Sequence, residues 1–150
     1  MGALNYSMRP SLATDFPLLF SIHRAALGDY VEATWGPWDD EFQRDHFRAM
    51  HERGLVRVVE VSGEVVGLLE LDDGLDRVGV VNIELTPTLH GQGLGTRILN
   101  EIIATAGRRP VVLQVLKVNP ARRLYDRLGF VQTGEIATHY LMRRDPTPQG

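Results

Sequence analysis

Cysteine is absent from the sequence, and so is any long apolar run. Without cysteine the chain can form no disulfide bond, offers no thiolate nucleophile and cannot bind zinc through sulfur. A membrane-spanning helix needs roughly 20 consecutive apolar residues, and the opening segment MGALNYSMRP lacks the apolar stretch of a secretory signal peptide. We therefore expect a cytoplasmic protein with no membrane partner.

An excess of positive charge is the third absence. The chain has 16 Lys and Arg against 19 Asp and Glu, a formal net charge of −3, so no overall basic field favours a nucleic acid partner. The 150 residues, of which 43% are hydrophobic, suffice for a compact core. We predict a single domain over residues 1–150, with a frayed tail from residue 143.

The hydrophobic pattern changes period along the chain, which indicates both helices and strands. A hairpin is predicted around Ser62-Gly63, and Pro17 is expected to interrupt or re-aim the first helix. The predicted strands cover 4–9, the runs on either side of that hairpin, 77–86, 111–115, 130–134 and 137–143; the predicted helices cover 11–27, 39–53, 93–106 and 119–129, and 28–38 is predicted to be irregular. This order implies an α/β (α+β) fold with a mixed sheet and helices on both faces.

Three alternating glycines stand at the start of the predicted helix 93–106, in the stretch LTPTLHGQGLGTRILNEII. Each glycine inside a helix costs up to about 1 kcal/mol relative to alanine, so this turn must need bare backbone. The first N–H groups of a helix have no partner within it, and glycines let an anion approach them. The pattern favours a phosphate site at residues 91–96, and a plain turn with unusual dihedral angles is the alternative.

Two common nucleotide-binding motifs do not fit this turn. The glycines follow the pattern G-x-G-x-G, whereas the dinucleotide fingerprint requires G-x-G-x-x-G and a later acidic residue, which the strand VVLQV does not supply. The Gly-Lys-Ser/Thr sequence of a Walker loop is also missing. A nucleotide-binding oxidoreductase is therefore disfavoured.

The predicted helix 119–129 has clear boundary signals. Asn119 suits the N-cap, Pro120 suits the first helical position, and Gly129 suits the residue that follows the last turn.

Two motifs together resemble those of the GNAT family of N-acetyltransferases. The first is the loop His90-Gly91-Gln92-Gly93-Leu94-Gly95, where the family has Q/R-x-x-G-x-G/A, so His90 replaces the usual Gln or Arg. The second is NPARRLYDRLGF, residues 119–130, which follows in the expected order with a strand between the two. The stretch YVEATWG and the acidic pair after it resemble a bacterial GNAT subgroup for which no acceptor is defined.

The resemblance implies a mixed, mostly antiparallel sheet of six to seven strands that splays between strands 77–86 and 111–115. Acetyl-CoA would bind there as cosubstrate, with no metal. The pantetheine arm would pair with the edge of the first of these strands, and the pyrophosphate would bind the glycine loop. The implied cofactor-binding residues are Leu85, Thr86, His90, Gly91, Gln92, Gly93, Leu94, Gly95, Thr96 and Asn119.

The implied reaction is direct attack of a primary amine on the thioester in a ternary complex. Tyr125 stands where the family keeps the general acid that protonates the departing thiolate, although it can also be a plain core tyrosine. Glu84, in an otherwise apolar strand, is the candidate for the base or the anchor of the amine, and a solvent-facing or salt-bridged residue is the alternative. A non-catalytic acyl-CoA-binding or regulatory module on the same fold remains the alternative function.

The segment GDYVEATWGPWDDE concentrates aromatic and acidic side chains, which suits a cationic amine. The expected substrate residues are Tyr30, Glu32, Trp35 and Trp38; alternatively the tryptophans only fix a loop to the core. The partner would be a small-molecule or peptide amine, and the closing strands at 130–143 suit a homodimer. His23, His46, His51 and His139 lack metal-ligand spacing, so packing or surface roles are expected for them.

Overall fold

The structure, a computed structural model, describes residues 5–147. The predicted strand start at Leu4 and the last three residues of the predicted tail lie outside this range. The strands are β1 (Tyr6–Pro10), β2 (Val56–Val61), β3 (Glu64–Asp73), β4 (Val78–Leu85), β5 (Val111–Leu116), β6 (Val131–Glu135) and β7 (His139–Arg144). The helices are α1 (Phe16–Trp35), α2 (Asp40–Glu52), α3 (Leu94–Ala106) and α4 (Arg122–Arg127), with short 3-10 turns at Ala13–Asp15 and Pro87–Leu89.

The strands form one seven-stranded sheet in the order β1-β2-β3-β4-β5-β7-β6. β1 with β2, β2 with β3, β5 with β7 and β6 with β7 pair antiparallel. β4 and β5 run parallel, and their register joins Val78–Val80 to Val111–Leu113. The predicted mixed, mostly antiparallel α+β fold is confirmed.

The described chain divides into two compact units. The first comprises residues 5–71 and 82–94, and the second comprises residues 72–81 and 95–147. β4 belongs to both, since Val78–Val81 lie in the second unit and Asn82–Leu85 in the first.

The core of the first unit lies between the two long helices and strands β2 and β3. Phe20 of α1 and Phe47 of α2 meet edge to face, with ring centroids 5.7 Å apart, a geometry that aromatic pairs prefer. Buried aliphatic side chains complete the cluster: Leu19, Met50, Val56, Val58 and Leu68.

Helix α1 is longer than its pattern predicts. The helix continues through the segment predicted to be irregular and ends at Trp35, where Gly36 adopts φ 99°. Pro17 lies in the first turn of α1, where its missing N–H would have no partner in any case, so it does not interrupt the helix.

In the second unit, α3 buries a regular stripe. Ile98, Ile102 and Ala106 follow one another at four-residue spacing and are all buried, as the pattern predicts. β5 contributes Val111, Leu113 and Val115, which are buried as well. β7 continues to Arg144, so the prediction of a frayed tail from residue 143 is wrong for its first two residues.

A close approach of backbones in the first unit requires glycine at position 67. A Cβ on Gly67 would lie 2.4 Å from the carbonyl oxygen of Glu84 and 2.6 Å from Cδ2 of Leu85. We expect Gly67→Ala to lower the free energy of unfolding by about 1–3 kcal/mol, because β3 and β4 must move apart.

The matched control is Gly28→Ala in α1, where the added Cβ would meet only the side chain of Arg24, at 3.7 Å. This change should raise the free energy of unfolding by up to about 1 kcal/mol, because alanine favours helix. Urea denaturation measures both. An unchanged midpoint for Gly67→Ala would contradict the close approach.

Candidate functional site

The turn between β4 and α3 is built from left-handed glycines. Gly91 has φ 80° and Gly93 has φ 77°, a conformation that residues with a Cβ rarely adopt. No heavy atom lies within 4 Å of the position of a Cβ on either glycine. Gly95 is the second residue of α3, which has 13 residues. The first N–H groups of that helix therefore follow a turn whose two glycines border open space, as a bound diphosphate requires.

The residues just before this turn are tied to the first unit. The N–H of Thr86 donates to the carbonyl of Val66 at 2.7 Å, and the carbonyl of Thr86 accepts from the N–H of Leu89 at 3.0 Å. Nε2 of His90 lies 3.1 Å from the carbonyl oxygen of Leu85. The fold thus already uses both backbone groups of Thr86, and His90 closes the loop back onto the end of β4.

Glu84 lies in the interior of the first unit. Its side chain is 1% exposed, and its two carboxylate oxygens lie 2.8 and 2.9 Å from Nδ1 of His23 on α1. Removing an unpaired carboxylate from water costs several kcal/mol, which a close hydrogen-bonding partner offsets. Glu84 is therefore not solvent-facing, and both of its carboxylate oxygens contact the imidazole of His23.

Aromatic rings surround that imidazole. The ring centroid of His23 lies 4.8 Å from that of Phe47, 6.1 Å from that of Trp38 and 6.4 Å from that of Phe20. Sequence reasoning gave His23 only a packing or surface role because it tested histidines for metal spacing. The signal it missed is that His23 shares the buried face of α1 with Leu19 and Phe20, where a polar group needs a partner.

A second buried carboxylate was not predicted. Glu70 on β3 is fully buried and accepts hydrogen bonds from Arg53 at 2.8 Å and from Nδ2 of Asn82 at 3.1 Å. Asn82 and Glu84 are two residues apart on β4 and so project to one face of the sheet. The clue in the sequence is that Glu70 interrupts the apolar run VVGLLEL.

The predicted acceptor residues lie in different surroundings. Trp38 packs partly buried against the core, its Nε1 donates to Asp40 at 3.2 Å, and its backbone N–H donates to Glu32 at 3.3 Å. Trp35, at the end of α1, is 58% exposed. Tyr30 is half-buried within α1. Within the first unit, the fold thus brings Trp38 next to His23, and hence near Glu84.

In the second unit, α4 begins later than predicted. Its N-cap is Ala121 instead of Asn119. Oδ1 of Asn119 still accepts from the N–H of Ala121 at 2.9 Å. Pro120 lies in the preceding turn, which is closed by hydrogen bonds between residues i and i+3. The carbonyl of Pro120 accepts one of them from the N–H of Arg123 at 3.0 Å. Asn119 therefore caps a turn that leads into the helix.

The end of α4 fixes Tyr125. Gly129 has φ 90°, its N–H donates to Asp126 at 3.2 Å, and the N–H of Phe130 donates to the carbonyl of Tyr125 at 3.1 Å. This pair of bonds is a Schellman motif, and the Tyr125 and Phe130 rings complete it with centroids 5.8 Å apart. Gly129 acts as predicted, and Tyr125 is buried, with 8% of its surface exposed.

Residues 17–130 match the acetyltransferase (GNAT) family. The chain belongs to the GNAT family. A 5-NmdU N-acetyltransferase of Pseudomonas phage PaMx11 is 34% identical over 90 residues, which cover 58% of this chain and 64% of the phage protein. The [ribosomal protein bS18]-alanine N-acetyltransferase of Haemophilus influenzae is 26% identical over 141 residues, 92% of this chain and 86% of that protein.

A solved GNAT structure shares the fold. The PaiA N-acetyltransferase of Thermoplasma acidophilum, determined in complex with coenzyme A, superposes with a TM-score of 0.73 at 16% identity, covering 95% of this chain and 99% of that one. The predicted family and its acyltransferase class are confirmed. No helix within residues 5–147 has the length and hydropathy of a membrane span, and the same residues contain no cluster of His, Asp and Glu able to hold a metal ion.

The buried pair of this GNAT chain predicts a strong energetic coupling. We expect His23→Leu to lower the free energy of unfolding by about 3–5 kcal/mol, because it leaves the Glu84 carboxylate buried without its partner. Adding Glu84→Leu should restore much of that loss, since no charge then remains in the interior. Urea unfolding of the four proteins of the cycle measures the coupling. Additive effects of the two substitutions would contradict it.

Proposed function

We propose that this GNAT chain transfers the acetyl group of acetyl-CoA to a primary amine, by direct attack of the amine on the thioester. The observation that carries the proposal is the turn at Gly91 and Gly93, two left-handed glycines that border open space directly before the first turn of α3. A side chain at either position would be strained and would enter that space, so glycine leaves the first N–H groups of α3 open to an anion.

The cosubstrate side of the reaction is assigned to residues 85–96. The N–H groups at the start of α3 would hold the diphosphate of acetyl-CoA, since helix N-termini favour anions. The relative from Thermoplasma acidophilum, which has the same fold, is bound to coenzyme A, and this supports the choice of ligand. Asn119 is proposed as a further contact to the cosubstrate.

Protonation of the departing thiolate is assigned to Tyr125. A phenol ordinarily stays protonated at neutral pH and can therefore donate a proton. The end of α4 supports this role because the Schellman motif fixes the backbone of Tyr125 and the ring packs, buried, against that of Phe130. Preorganised donors contribute more to a reaction than mobile ones do.

The amine side is assigned to the first unit. An alkyl ammonium must lose a proton before its nitrogen can attack a carbonyl. Glu84 supplies the negative charge for that step, and the ring of Trp38, beside His23, offers an aromatic face to a cation. Tyr30, Glu32 and Trp35 are proposed as outer contacts of the acceptor.

The relatives favour two kinds of acceptor. One acts on an alanine of ribosomal protein bS18 and the other on 5-NmdU. The test incubates the protein and acetyl-CoA with a peptide that has an N-terminal alanine, with spermidine, with kanamycin and with lysine, and follows the release of the CoA thiol. We expect release with at least one amine. Tight CoA binding without release would instead support a non-catalytic acyl-CoA-binding module.

The glycine turn yields a prediction for CoA affinity. Gly93→Val should raise the Kd for CoA at least about tenfold, a change of about 1.4 kcal/mol, because the side chain would enter the space assigned to the diphosphate. The matched control is Gly107→Val, which imposes a similar left-handed strain at φ 64° and also borders open space. Isothermal titration should show nearly unchanged affinity for this control. Equal affinities of the two variants would rule out the assigned site.

Tyr125 yields a prediction for turnover. Tyr125→Phe should lower kcat about 100-fold or more, the usual contribution of a general acid, with the Kd for CoA unchanged. Tyr6→Phe makes the same chemical change on β1 and should leave kcat unaltered. Stopped-flow detection of the thiol gives kcat. Unaltered turnover of Tyr125→Phe would remove the tyrosine from the chemistry.

A further inference from the structure

We infer that His23 is the general base of this acetyl transfer and that Glu84 acts through it. Nε2 of His23 would take the proton of the acceptor ammonium, while Glu84 is a positioning residue. The inference rests on the proposed function, and it assigns a role to a histidine outside the glycine loop and the tyrosine motif.

The tautomer of His23 follows from its contact with Glu84. Both carboxylate oxygens lie within 2.9 Å of one nitrogen, Nδ1. An ionised carboxylate only accepts hydrogen bonds, so Nδ1 must carry the hydrogen that both oxygens share. In a neutral imidazole the other nitrogen, Nε2, then bears the lone pair and can accept a proton.

Exposure distinguishes the two partners as proton acceptors. The side chain of Glu84 is 1% exposed, whereas that of His23 is 9% exposed. Within residues 5–147, Nδ1 of His51 is the only side-chain nitrogen or oxygen that is fully buried without a hydrogen-bond partner, so Nε2 of His23 does not belong to this class. Nε2 of His23 is therefore not sealed in the core, and the hydrogen bonds of His23 to the described chain are those at Nδ1. His23 is therefore the more accessible of the two groups to an incoming ammonium.

Among the described residues, one carboxylate and two arginines are the charged groups around His23. Glu84 faces it from β4, and two arginines lie over the rings that contact it: Arg24 over Trp38 at 5.5 Å, and Arg44 of α2 over Phe20 at 4.6 Å. Arginine remains charged at any working pH, so both are fixed cations. The carboxylate attracts an imidazolium as it forms, and the two arginines oppose it only weakly because Asp40 pairs with both.

The proton balance of the step is complete. The ammonium R–NH₃⁺ gives one proton to Nε2, and the resulting amine attacks the thioester carbon, forming the C–N bond. The C–S bond then breaks, and the thiolate takes a proton from Tyr125. The nitrogen of the new amide loses its second proton, which returns to the phenolate of Tyr125. His23 releases its proton to solvent. The products are an N-acetyl amide, CoA thiol and one proton.

Two substitutions separate this role from a structural one. His23→Asn keeps an N–H that can bond Glu84 near the position of Nδ1, but it has no counterpart of Nε2. We expect kcat/KM to fall by about 100- to 10,000-fold, the range of general base catalysis, with an unchanged Kd for CoA. The acidic limb of the pH profile, where the rate rises as the base loses its proton, should disappear.

Glu84→Gln should behave differently. The amide can still accept the Nδ1 hydrogen but no longer stabilises an imidazolium, so kcat/KM should fall at least about tenfold. The acidic limb should persist, because the imidazole that takes the proton is still present. Two results would overturn the inference and make the carboxylate itself the base. One is an acidic limb that survives in His23→Asn. The other is loss of the limb in Glu84→Gln, with a rate that recovers only at high pH.

A readout without turnover separates failure of this inference from failure of the proposed function. Nitrogen-15 NMR of the histidine rings in the free protein at pH 8 should show His23 with hydrogen on Nδ1 and none on Nε2. Glu84→Leu should lose that preference. The opposite tautomer would contradict the inference even where an amine from the panel is acetylated. If none of the amines releases CoA thiol, the proposed function fails and the base assignment fails with it.

Discussion

The turn between β4 and α3 is the constraint on which the rest of the structure's chemistry depends. A strand that ends at Leu85 and a helix that begins at Leu94 are joined through two left-handed glycines. Because the first N–H groups of a helix have no partners within it, this turn presents backbone donors beside open space. The assignment of an anionic cosubstrate follows from those donors. β4 delivers the chain to them, and one residue before its end it carries the buried carboxylate of Glu84.

Buried ionisable side chains are the second theme. Within residues 5–147 the buried carboxylates and imidazoles are Glu70, Glu84 and His23, all in the first unit. Glu84 is paired with His23, and Glu70 is paired with Arg53 and Asn82. Well-packed apolar residues usually stabilise an interior as well as a buried ion pair does. Pairs of this kind are therefore poor candidates for stability devices. The close approach at Gly67 holds β3 against the backbone of Glu84 and so contributes to the position of that carboxylate.

Local patterns predicted most of the fold, and long-range partners account for what they missed. The glycine loop, the stripe of α3 and the left-handed Gly129 follow from periodicity and backbone sterics, which are local properties. The extension of α1 to Trp35 was missed because glycine and aromatic residues weaken a helical signal that tertiary packing then overrides. The partners His23 and Glu84 are 61 residues apart in the sequence, and the local sequence around either residue does not indicate its partner. Glu70 depends in the same way on side chains from two other segments.

Hydrogen–deuterium exchange with and without acetyl-CoA tests the central claim most directly. If the diphosphate binds the start of α3, the amides of residues 93–96 should become strongly protected when acetyl-CoA is added. The hairpin at Ser62 and Gly63, which also contains a left-handed glycine, should exchange at the same rate in both states. Protection that appears elsewhere in the chain, with residues 93–96 exchanging as they do in the free protein, would contradict the assigned site.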